Sequence, residues 1–122
     1  MGSAKTAKAF IPLAKVGDLP DGTMKEFAID KQEILLARVG NKYYAANNTC
    51  PHLGGRLARG QLEGTIVACP LHASRFDLTD GHVVRWTNWT GIKASLSSLL
   101  KPPHPLTIYT VKVEGDTILV EI

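Results

Sequence analysis

The sequence predicts a mostly β protein built from antiparallel strands, and three observations carry that expectation. Short stretches alternate between apolar and polar residues, Gly, Pro and Asp signals separate them, and the C-terminal LTIYTVKVEGDTILVEI reads as a hairpin with Gly115-Asp116 at its tip. Many short strands with such punctuation imply a sandwich or barrel. A chain of 122 residues, 44% hydrophobic and 20% charged, fits one domain over 1–122 with a real core, not a disordered segment.

The elements follow in order. In the first strand Phe10, Pro12 and Ala14 fall on one face, with Ile11, Leu13 and Lys15 on the other. LPDG at 19–22 is a turn and MKEFAID a second strand. EILLARV (33–39), the GNK turn and YYAAN (43–47) form a hairpin. TIVACP (65–70) is a short strand running into a cysteine, and SRFDLTDGHVVRW (74–86) gives strand, Asp80-Gly81 turn, strand. One stretch breaks the pattern: in TGIKASLSSLLKPP, Ile92, Leu96, Leu99 and Leu100 keep a helical period. Pro102 and Pro103 would end that helix, which spans about 91–101 and would cap one open end of the sandwich.

Charge narrows the function. The net charge of +3 is mild, and no basic stripe with interleaved aromatics points to nucleic acid. Arg56, Arg59 and Arg75 stand together with only Glu63 nearby to offset them, so a mildly basic rim is expected. No apolar run approaches the roughly 20 residues of a membrane span. The start, MGSAKTAKAF, lacks the roughly 7–15-residue apolar stretch of a secretory signal. A soluble, cytoplasmic protein is expected. In that compartment Cys50 and Cys69, the only cysteines, point to metal or redox chemistry and away from a structural disulfide.

The chemistry concentrates in two stretches, CPHLGG (50–55) and CPLHASRFD (69–77). The first holds Cys50 and His52 as C-x-H, and the second holds Cys69 and His72 as C-x-x-H, so each loop offers one thiolate and one imidazole. Pro51 and Pro70 follow the cysteines and fix φ, while Gly54 and Gly55 permit backbone that other residues resist. Structural zinc in a Cys2His2 site is the rival use of these ligands, although zinc fingers keep the two cysteines together and the two histidines together. His82 and His104 are expected to be solvated, and Trp86 and Trp89 to serve as core or lid.

This pair of stretches resembles the Rieske [2Fe–2S] motif in ligand type, order, both prolines and the Leu53-Gly54 pair. The strand pattern and the downstream PPHPL fit the same family over most of the chain. The resemblance implies three antiparallel sheets, a cluster-binding lobe inserted at about 48–77, and a proline-rich loop at about 102–105 that includes Pro102, Pro103 and Pro105. It implies one [2Fe–2S] cluster, with Cys50 and Cys69 on the inner iron, His52 and His72 on the outer iron, and Ser74 donating to a bridging sulfide. It also implies an electron carrier, not an enzyme: a monomeric ferredoxin that takes single electrons from a reductase and passes them to a terminal oxygenase, with no membrane or nucleic-acid partner.

Departures refine the resemblance. Respiratory Rieske proteins carry two further cysteines joined as a disulfide, where this chain has Gly55 and Leu71, and a tyrosine where it has Phe76. Ala73 replaces a usual glycine. A potential in the lower half of the family range, roughly −150 to +300 mV, is therefore expected. A module of a larger redox enzyme, such as the small subunit of a nitrite reductase, is the alternative; that subunit commonly lacks the ligands present here.

Overall fold

The computed structural model describes residues 9–51, 54–71, 74–85 and 104–122. The expected helix at 91–101, the tryptophans at 86 and 89, and Pro102 and Pro103 lie outside these residues.

Among the described residues, eleven strands build three antiparallel sheets, as the resemblance implied. β1 (Phe10–Lys15), β10 (Val111–Glu114) and β11 (Thr117–Glu121) form an outer sheet in the order β1-β11-β10. β2 (Met24–Ile29), β3 (Gln32–Val39), β4 (Lys42–Asn47) and β9 (Ile108–Tyr109) form a central sheet in that order. β5 (Gln61–Glu63), β6 (Ile66–Ala68), β7 (Arg75–Asp77) and β8 (Val83–Arg85) form the third.

The central strand β3 is apolar without alternation because both of its faces are covered. Ile34 and Leu36 enter a core shared with Leu19, Ala45, Ile118 and Val120 under the outer sheet. Leu35 and Ala37 enter a second core with Ala46, Leu57, Val67, Phe76, Leu78 and Leu106 under the third sheet. Ala45 and Ala46 on β4 let both neighbouring layers approach closely. Burial of each large side chain here contributes about 1.5–3 kcal/mol.

Two expectations change. Strand β1 does not alternate cleanly: its register with β11 shifts between Pro12 and Ala14. Leu13 and Ala14 both pack on the first core. Proline cannot donate to a ladder and is tolerated at such an edge irregularity. The C-terminal hairpin also divides. Gly115, at φ 61, turns β10 into β11 as expected. Ile108 and Tyr109 instead pair with Ala46 and Ala45 of β4. The chain changes sheets at Thr110, whose carbonyl accepts from the Glu121 N–H at 2.9 Å.

Candidate metal centre

The two cysteine loops leave the same end of the third sheet. The first is closed by an isolated bridge between Thr49 and Arg56. Within it the Cys50 N–H donates to the Gly55 carbonyl at 2.8 Å, and the Cys50 carbonyl accepts from the Gly54 N–H at 2.9 Å. Gly54 sits at φ +79, where side chains are strained. The second loop continues β6 and returns into β7, and the Cys69 N–H donates to the Ser74 carbonyl at 2.8 Å. His52 and His72 lie outside the described residues, as do Leu53 and Ala73.

The two cysteines are not joined as a disulfide; Cys50 is 2% and Cys69 4% exposed, and both belong to the second core. Ser74 is fully buried beside them. Gly55 brings the loops together. A Cβ there would lie 2.8 Å from Cys69 Sγ and 3.0 Å from Leu71 Cγ, so a side chain at 55 would require these side chains to shift. Positions 55 and 71, where the respiratory relatives place a disulfide, are thus side by side.

Gly60 is a second close approach, and one that sequence reading missed. A Cβ on it would fall 1.8 Å from the Ala68 carbonyl oxygen. Its only sequence signal is a glycine just before an alternating run. Gly81 closes the far side: its carbonyl accepts from the Leu106 N–H at 2.7 Å, which seats the segment following Pro105 on the turn between β7 and β8.

The first loop is tied to the central sheet by a polar cluster. Buried Asn48 accepts from the Ala58 N–H through Oδ1 at 2.8 Å, and its own N–H donates to the Glu33 carbonyl at 2.9 Å. Arg56 pairs with Glu26 and Glu33 at 3.1 and 2.9 Å, and Arg59 pairs with Glu26 at 3.1 Å. The hydrogen bond from Arg59, helped by its charge and that of Arg56, holds the Glu26 carboxyl below its ordinary pKa against partial desolvation. The expected basic rim offset by Glu63 alone is therefore corrected for Arg56 and Arg59, because β2 and β3 supply carboxylates that are remote in sequence. Arg75 meets Glu63 only at 3.7 Å. His82 is exposed and its ring contacts Asp80, whose carboxyl is held low chiefly by the His82 N–H.

Two buried thiols on tightly closed loops, brought close across Gly55, make a soft-ligand site. The sequence model described as the Rieske [2Fe-2S] domain matches residues 9–96. The chain belongs to the Rieske [2Fe–2S] domain family. Its Rieske relatives include the ferredoxin component of biphenyl 2,3-dioxygenase from Rhodococcus jostii (strain RHA1), 33% identical over 114 residues and covering 93% of this chain and 94% of the relative. The ferredoxin component of the naphthalene 1,2-dioxygenase/salicylate 5-hydroxylase systems of Ralstonia sp. is 31% identical over 113 residues, covering 93% and 95%. Among solved structures, the ferredoxin of carbazole 1,9a-dioxygenase from Nocardioides aromaticivorans IC177 superposes with a TM-score of 0.75 at 28% identity, covering 92% and 96%.

Proposed function

We propose that this Rieske protein is a soluble, cytoplasmic electron carrier, the ferredoxin component of a dioxygenase system, taking single electrons from a reductase and delivering them to a terminal oxygenase. The single observation that supports this most is the pair of buried cysteines, not joined as a disulfide, on adjoining loops of a chain that matches ferredoxin components along nearly its whole length. We read residues 1–122 as one domain, with the cluster-binding lobe starting near 48.

Cys50 and Cys69 would hold one iron as thiolates, and His52 and His72 the other as neutral imidazoles. The donor set fits: buried thiolates and imidazoles are ligands of a [2Fe–2S] centre of this type. When bound, the cluster supplies one-electron transfer at a potential raised by replacing two thiolates with imidazoles. The chain's own residues do the rest. The backbone bonds at Gly54, Gly55 and Ser74 hold both cysteines in their loops. Leu57, Phe76 and Leu106 exclude water from the cysteine side. The buried Ser74 hydroxyl is assigned to a sulfide, which would stabilise the added electron, while Phe76 offers no second hydroxyl. A potential in the lower half of the family range follows.

The test is the visible spectrum. The purified protein should be red-brown, and Cys69→Ser should bleach it and lower its stability, because ligand binding energy is also folding energy. A colourless wild type holding zinc would overturn the proposal, as would a Cys69→Ser variant with an unchanged spectrum.

A further inference from the structure

The register of the third sheet sorts its charges by distance from the cysteine loops. Leu62, Val67, Phe76 and Val83 face the second core. The opposite face carries Gln61, Ala68, Arg75 and Arg85 in one row across the four strands. That row lies at the strand ends that join the cysteine loops, and its only charges are positive. Two residues back along each strand, roughly 7 Å away, stand Glu63, Ile66 and Asp77. The face is therefore cationic beside the metal centre and acidic behind it.

Arg75 is central to this gradient. Its Nε is shielded from solvent and has no hydrogen-bond partner among the described residues, while its side chain remains 39% exposed and meets Glu63 only at 3.7 Å. It lines a cleft of about 450 Å³ with Gly60, Gln61, Cys69 and Leu71. Leu71 is 55% exposed, a large apolar side chain in the loop that carries Cys69. An apolar centre flanked by arginine donors is the composition of a protein interface.

We propose that this face, centred on Leu71 and Arg75 with Arg85 at its flank, is the docking surface for a redox protein that presents carboxylates around its own electron port. The inference rests on the carrier reading above. A carboxylate partner is attracted by the arginine charges at the end nearest the metal centre, and the acidic row behind repels it, so attraction and repulsion together orient the partner with its port over the cysteine loops.

The test compares two one-electron protein oxidants, plant plastocyanin with an acidic docking patch and basic cytochrome c. Each event moves one electron from the reduced protein to copper(II) or to ferric haem, giving copper(I) or ferrous haem. Oxidation by plastocyanin should be the faster at low ionic strength and should slow as salt rises, whereas cytochrome c should show the opposite slope. Arg75→Gln and Arg85→Gln should each slow plastocyanin about threefold, and Glu63→Gln should speed it. Titration with redox-inert cadmium plastocyanin should show the same order in affinity. A faster cytochrome c reaction, or a plastocyanin rate and affinity indifferent to salt and to Arg75→Gln, would overturn the docking proposal. Absence of the cluster spectrum would overturn the carrier reading instead, so the two failures are distinct.

Discussion

Glu26 receives hydrogen bonds from two arginines of the first cysteine loop although it belongs to the central sheet. Because Arg59 and Arg56 lower its pKa, the folded protein keeps the charge to more acid pH than the unfolded chain does. Its contribution to stability is therefore fully present above the ordinary value of 4.5 and is lost as pH falls through the depressed folded pKa. Glu26→Gln should lower the urea midpoint at neutral pH, and the gap to wild type should close on acidification through that window. A gap that stayed constant across the titration would show that Glu26 acts by packing alone. The cysteines were legible in the sequence because a histidine stands two or three positions beyond each one within its own loop. Glu26 was not, since its link to Arg59 spans 33 positions and only strand pairing brings them together.

At the scale of elements, β5 and β6 meet where Gly60 backs onto the Ala68 carbonyl. A methyl group cannot occupy that space without backbone movement, and the backbone that would move leads directly into Cys69. Gly60→Ala should therefore broaden and weaken the visible absorption, and soluble protein should lose iron faster to a chelator. Iron release as slow as in wild type would show that the strands part without disturbing the loop. Most strands were visible as alternating runs between turn signals. The break between β9 and β10 was not: Ile108, Tyr109 and Val111 are all apolar enough to continue one strand. What divides them is the pairing offered by β4 and β11, a tertiary choice that periodicity does not encode.

At the scale of the whole molecule, the described residues form two cores divided by one strand. Leu35 faces the cysteines and Ile118 lies on the other side of β3, both fully buried. Truncating either to alanine should cost about 2–5 kcal/mol in a denaturant titration. Leu35→Ala should also hasten bleaching of the native protein, whereas Ile118→Ala should leave native bleaching unchanged; equal bleaching in both would mean that β3 transmits strain between the layers. The three antiparallel sheets were implied by the family resemblance, while the run EILLARV reveals only afterwards why it lacks alternation. The cysteines complete the second core as members of it. A newly made chain thus cannot finish that core and wait indefinitely for its metal. Under the ligand assignment proposed here, maturation is the last step of folding, and iron–sulfur supply rather than synthesis governs how much carrier accumulates. In a starved cell the pool of this protein would shrink through proteolysis of unfinished chains, and the pathway drawing on its electrons would slow without any change in transcription.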